Sequence, residues 1–518
     1  MFPEKYQKAL ENLKAFLQDA AGSKLPPLLP EPKAKERARF PFWGIHKDPE
    51  KLAFGKAYGY GDFNDGRVHS AIKGLPEADR TTHFYAVGAT GWGKSTLLES
   101  MILQDIIYKR SFGVIDPTGD LIKPIKGWLY YWGPDSLQDD IVLLDLADPV
   151  NTLTFNPLEQ IKGYSIEEMA LQLVEVFQKI WGDSCGPRMG GIMRNSLIAL
   201  AENNLTLLEL PIFLTNTTVR ARLLQNVKSP TCRQQFEHFN GVGMRLWNEW
   251  IESTLNKVDA FISNPRIRHI LAAPKSSFNL REIMDNGKIL LVNLDKTKLS
   301  EGSALVGAML VNKIQMAAFS RSDTEPAERR QFYLYIDEFQ NFATKSFIDI
   351  LCEARKYKLS LILAHQNLSQ LPKDLRDSIL GNCGIQACFR VNREDAQIMA
   401  KEIMSPLYRH TPGWEMTYQM IQELEKHFFY IANRNDQSVA GVETLQLPKP
   451  CTLTQEDGKS WNETDFNSLL NIAGIGATYL RNRAELEQGY RQRLAEFAPK
   501  EPESFRRPGD QDGKESLS

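Results

Sequence analysis

The stretch HFYAVGATGWGKSTLLES, residues 83–100, holds a glycine, four further residues, then glycine, lysine and serine. That is the spacing of a phosphate-binding loop, G-x-x-x-x-G-K-[ST]. Small residues there let successive backbone N–H groups curl around phosphate oxygens with no Cβ in the way. Gly88, Ala89, Thr90, Gly91, Trp92, Gly93, Lys94, Ser95 and Thr96 are therefore expected to cradle the phosphates of ATP. The Lys94 ammonium would neutralise phosphate charge, and the Ser95 hydroxyl would hold Mg2+. A helix from Lys94 through Tyr108 would turn its positive N-terminal end toward the same anion.

Such a loop needs a second metal-holding group and a way to activate water. FYLYIDEFQNF supplies both: Phe332 to Ile336 read as a strand whose end presents Asp337 and Glu338. Asp337 would coordinate Mg2+, and Glu338 would act as general base. Two solvated acids at a strand end are common, but with Lys94 and Ser95 upstream they read as a Walker B pair. In CEARKYKLSLILAHQNLSQL a helix bearing Arg355 leads to the strand Leu359 to Ala364, which ends in His365 and Gln366. Gln366 at that tip could contact the γ-phosphate or the lytic water. Arg355 is either a surface arginine or a finger reaching a neighbouring subunit's nucleotide.

The elements that must position these residues are short apolar runs alternating with helical segments. The runs are HFYAVG, SFGVID, IVLLDL, KILLVNL, FYLYIDEF, LSLILAH, GIQACFRV and HFFYIAN. Their near-continuous apolar character suits strands buried on both faces of a mostly parallel sheet. The fold class is thus α/β, a P-loop NTPase core with a mostly parallel sheet. Residues 159–275 interrupt it with an all-α insertion. Its first helix, SIEEMALQLVEVFQKIW, opens with Ser165 and Glu168 in capping-box spacing. The core is split into 46–158 and 276–450; residues 1–45 read as a short helix and linker, and 451–518 as a polar, disordered tail.

Lys plus Arg number 62 against 64 for Asp plus Glu, so any nucleic-acid contact must be local. The six cysteines are scattered without a C-x-x-C pair, which favours buried thiols in a reducing cytoplasm over a metal site. No signal peptide and no run of about 18 apolar residues is seen, so direct membrane insertion is not expected. In IKPIKGWLYYWGP, Lys123, Lys126, Trp128 and Tyr130 to Trp132 are open to two readings, DNA contact or core packing. The charge run around Arg321, Arg329 and Arg330 reads as a solvated face.

GATGWGKST, VIDPTGDL, LYIDEFQNF, EARKYKLSLILAHQNLSQL and GNCGIQACFRVNREDAQIMA follow in this order. So ordered, the chain resembles the conjugative coupling-protein branch of the FtsK–HerA DNA-pump superfamily over Phe54 to Leu447. The resemblance implies a RecA-like core and a hexameric ring ATPase driving single- or double-stranded DNA toward a type IV secretion apparatus, with relaxase or secretion-channel partners. The chain would be cytoplasmic, reaching the inner membrane through those partners. By the same analogy Gln366 is the sensor glutamine and Arg355 the arginine finger, with Arg390 its rival. Asp116 either organises the site or starts the Pro-Thr-Gly turn. The alternatives are a HerA-like translocase working with a nuclease, and a secretion ATPase acting on protein.

Overall fold

The computed structural model describes residues 51–58, 70–344, 347–404, 414–452 and 462–497. The chain enters through two antiparallel strands, β1 (Lys51–Tyr58) and β2 (Ser70–Pro76). Then come β3 (Phe84–Val87), helix α1 (Lys94–Ile107), β4 (Ser111–Asp116), α2 (Ile122–Trp132) and β5 (Ile141–Asp145). A short strand β6 (Asn151–Thr152) leads into a helical region that includes α3 (Ile166–Trp181), α4 (Pro187–Glu202) and α5 (Met244–Ile262). The core resumes with β7 (Ile289–Asn293), the long α6 (Lys296–Phe319), β8 (Phe332–Ile336), β9 (Leu359–His365) and β10 (Ile385–Cys388). Helix α7 (Arg393–Met404) precedes β11 (Phe428–Asn433) and β12 (Ser438–Thr444). The described chain ends with α8 (Glu463–Ile472), β13 (Arg481–Asn482) and α9 (Arg483–Glu496).

Eleven strands form one sheet in the order β2-β1-β12-β11-β10-β3-β9-β8-β4-β7-β5. From β10 to β5 every neighbouring pair is parallel. The four strands beyond β10 are antiparallel. The expected α/β class and mostly parallel sheet are therefore present. All residues of β3, β4, β7, β8, β9 and β10 are buried, as a sheet covered on both faces requires. Tyr85 and Val87 of β3 point into the layer of α6 and the helical insertion; Phe84 and Ala86 point into that of α1 and α2.

Helix α3 begins as its sequence predicts: the Ser165 hydroxyl accepts from Glu168 N–H, and the Glu168 carboxylate accepts from Ser165 N–H. Its buried face runs through Met169, Ala170, Leu173, Val174 and Phe177. Glu301–Asp323 is long and apolar enough to span a membrane, but its apolar window is 89% buried inside the fold. That apolar character is accounted for by the core.

Three expectations need correction or lie elsewhere. The polar tail is not structureless over 462–497: Asn462 caps α8, Asn482 caps α9, and β13 pairs with β6. Glu487 takes Arg268 and His269 at 3.0 and 3.1 Å, and Arg493 reaches the buried Glu209 at 3.2 Å. Polar residues fold here because the rest of the chain supplies their partners. Arg321, expected on a solvated face, is fully buried and donates to Asp285 and to the carbonyls of Arg330 and Tyr357. The N-terminal helix and linker, and residues 498–518, lie outside the described residues.

The aromatic stretch of α2 takes the packing reading. Trp128 is buried with its indole N–H on Glu99 at 2.9 Å, and Tyr131 stacks on Phe466 of α8. All six cysteines are free thiols, four of them buried.

Candidate active site

The loop from Gly88 to Ser95 joins β3 to α1, so it sits at the carboxyl end of the parallel strands, where α/β folds bind ligands. Gly91 and Gly93 take φ of +80° and +112°, backbone that a side chain would strain. A Cβ on Gly88 would lie 2.5 Å from Cβ of Phe389, and one on Gly93 would lie 3.0 Å from Nδ1 of His427. Helix α1 has no side-chain cap and no acid in its first turn. Its first N–H groups are thus left to an outside acceptor.

The loop is held from both sides. Gly88 N–H donates to the His365 carbonyl, and Ala89 N–H to the Arg390 carbonyl at 2.8 Å. His427 N–H donates to the Trp92 carbonyl at 3.1 Å. The Lys94 ammonium is turned back onto its own loop, donating to the carbonyls of Gly88 and Ala89. Burial pushes its pKa down, against the pull of Glu338 and Asp337.

Strand β8 carries Asp337 and Glu338 to the same end of the sheet. Burial, then the charges of Glu338 and Asp116, raise the Asp337 carboxyl to about 7, against the opposing pull of Lys94. Glu338 adopts φ +47°, and Asn341 closes the turn by donating to its carbonyl. Strand β9 lies between β3 and β8, so its tip places Gln366 beside the acids. The Gln366 amide donates to Glu338 Oε1 at 2.7 Å. The phosphate loop, Asp337, Glu338 and Gln366 thus converge from three adjacent strands.

The two arginines expected as finger candidates differ in place: Arg355 is remote from the loop of its own chain, and Arg390 lies against it. Arg355 is exposed in a turn before β9, at the opposite end of that strand from Gln366 and roughly 20 Å away at strand rise. Arg390 lies over the ring of Trp92 in its own chain, 4.7 Å from the centroid. Asp116 is fully engaged in the turn it starts: its carboxylate accepts from Thr118, Leu121 and Ile122. Ser95 and Thr90 are exposed at the loop surface, and Thr96 is half-buried.

Phe389, His427 and Gln340 were not legible as site residues. The first two reach the loop only because β10 neighbours β3 and β11 neighbours β10. Gln340 donates to Glu338 Oε2 at 2.6 Å; its place two residues after the acid was its only sequence signal.

Residues 331–403 match a sequence family described as the TraM recognition site of TraD and TraG. No curated protein matches the chain. Among solved structures, the bacterial conjugative coupling protein TrwBΔN70 in its unbound monoclinic form is similar at 16% identity and TM-score 0.52, covering 73% of this chain and 89% of that one. Plasmid coupling protein TrwB in complex with ADP and Mg2+ matches at 15% identity and TM-score 0.52, over 79% and 98%. VirB4 of Thermoanaerobacter pseudethanolicus matches at 12% identity and TM-score 0.52, over 77% and 96%. The resemblance carried by the ordered motifs therefore holds at two levels: the chain has the RecA-like fold of the conjugative coupling proteins, and its segment from β8 to α7 matches a sequence family described from TraD and TraG.

Proposed function

We propose that this chain is an ATP-hydrolysing motor that drives DNA, working as a ring of copies, six by analogy, in conjugative or mobile-element transfer. The observation that carries the ATP-hydrolysing part is the convergence of Lys94, Asp337, Glu338 and Gln366 around a glycine loop with free helix N–H groups; the DNA-driving part rests on the likeness to the coupling proteins. A Cβ-intolerant cradle beside two carboxylates fits a nucleoside triphosphate with Mg2+, and the related TrwB is described in complex with ADP and Mg2+.

In this account the loop N–H groups take the phosphates, and Lys94 leaves the carbonyls of Gly88 and Ala89 to pair with them. Ser95 and Asp337 would hold Mg2+, which when bound would neutralise phosphate charge. Glu338 accepts a proton from the attacking water, and Gln366 orients that water or reads the γ-phosphate. Arg355, exposed and far from its own loop, suits a finger that completes a neighbour's site. Arg390 serves its own chain by bracing Trp92. DNA, relaxase and secretion-channel proteins are the partners this task implies.

The catalytic half is tested by steady-state turnover of ATP in Mg2+. Lys94→Ala and Glu338→Gln should each lose activity by about 100-fold or more, while Glu338→Gln still binds nucleotide. Turnover that survives Glu338→Gln would remove Glu338 as the base. The DNA half is tested by displacement of a third strand from a triplex. ATP-dependent displacement supports pumping; hydrolysis without displacement argues against it.

A further inference from the structure

We propose that Gln340 is a positioning residue that, with Gln366, holds the Glu338 carboxylate in a restrained resting geometry, so that the base is not free until the clamp opens. This rests on the reading of Glu338 as the general base.

Both oxygens of Glu338 are occupied. Gln366 Nε2 donates to Oε1 at 2.7 Å and Gln340 Nε2 donates to Oε2 at 2.6 Å. Hydrogen bonds to an ionised acceptor are among the stronger ones, and two donors, one on each oxygen, restrain the carboxylate. The donors come from different elements: Gln366 from the tip of β9, Gln340 from the turn that follows β8. Each amide therefore reports on a different part of the molecule.

The Gln340 clamp is built to be released. The Gln340 Oε1 atom is buried with no hydrogen-bond partner, so half of that amide is unsatisfied as long as Nε2 stays on Glu338. Leaving a buried acceptor unmade is unfavourable, and rotation of the side chain offers relief. The turn itself is held from the outside: Asn341 donates to the Glu338 carbonyl, and Lys296 at the start of α6 donates to Asn341 Oδ1 at 3.2 Å. A shift of the α6 end is thereby linked to the residue beside Gln340. In the same arrangement Lys94 donates to the carbonyls of Gly88 and Ala89.

The experiment is basal ATP turnover, without DNA, by wild type, Gln340→Met and Gln340→Ala, and by Gln340→Met combined with Glu338→Gln. Methionine keeps the length of glutamine and removes the donor. Thermal melting and fluorescent-ATP binding accompany each variant, and alanine serves if methionine does not fold. The expected result is a rise in kcat of about two- to tenfold, the net worth of one hydrogen bond read as a rate. KM stays unchanged, and the gain vanishes in the Glu338→Gln background. A fall in kcat at unchanged KM would show that Gln340 holds Glu338 in its productive position, and overturns the proposal; so does an unchanged kcat. Loss of activity with loss of ATP binding in both folded variants also overturns it, because Gln340 would then belong to the cradle. Wild-type protein without Glu338-dependent turnover would defeat the general-base reading instead, and is told apart by the single Glu338→Gln control.

Discussion

Gly93 carries two constraints at once, a φ of +112° and a Cβ position 3.0 Å from His427. Gly93→Ala should weaken ATP binding by tenfold or more and cost about 1–3 kcal/mol of stability, measured by fluorescent-ATP titration and chemical denaturation. Asp337 gives a second prediction. Its carboxyl is raised to about 7 by burial and neighbouring charge, so between pH 4 and 7 the folded state binds the extra proton. Stability therefore falls as pH rises through that window, by a few kcal/mol at most. Asp337→Asn should be more stable than wild type above pH 7 and equal to it below about 4; denaturation at both pH values checks the sign. At this scale the sequence showed whatever was local. Gly88 to Ser95 and Asp337–Glu338 are contiguous motifs, and their chemistry is in their spacing. Phe389 and His427 are distant in sequence, so nothing near them announces that they wall the loop.

Among the elements, the eight apolar runs all became strands because burial on both faces leaves a continuous apolar signature. Strands β1, β2 and β12 were not legible. In β12 only Val442 and Thr444 are buried, so its pattern lacks the apolar run that marks the centre of the sheet. The C-terminal helices escaped notice for a related reason. Helix α9 is mostly polar, with Leu486 and Tyr490 packed against the core, and it is held as well by partners contributed by the insertion. Arg493 lies beside Glu209, which is fully buried and also caps its own helical turn through Thr206. Removing the arginine leaves that carboxylate without its counter-charge. Arg493→Ala should lower stability by about 2–4 kcal/mol, below the full value for a buried pair because Arg493 is partly exposed. A thermal melt indistinguishable from wild type would show that the tail contributes nothing to the fold.

For the whole molecule, two buried histidines set an acid limit. His83, before β3, is held at about 4 by burial with Arg355 adding to the shift, and His365, at the end of β9, at about 3 by burial and then Lys94. Their depressed values mean that the unfolded chain binds protons first as pH falls below 6.5. The stability they contribute is complete above pH 6.5 and is lost progressively toward pH 4 and below, about 3 kcal/mol for His83. His83→Gln, which can still accept from Leu361 N–H as His83 does, should flatten the fall in melting temperature across pH 6.5 to 4. An unchanged slope would assign the acid sensitivity elsewhere.

The near-balance of 62 basic and 64 acidic residues means that a DNA motor built from this chain must concentrate its positive charge on one surface of the ring, with salt-sensitive binding as the consequence. The most direct measurement is steady-state ATP hydrolysis with and without single- and double-stranded DNA at two salt concentrations, with Glu338→Gln as the blank. The account predicts strong stimulation by DNA that weakens at higher salt and is absent from the blank. Glu338-dependent hydrolysis that DNA leaves unchanged at both salt concentrations would contradict it and turn the search to a protein cargo.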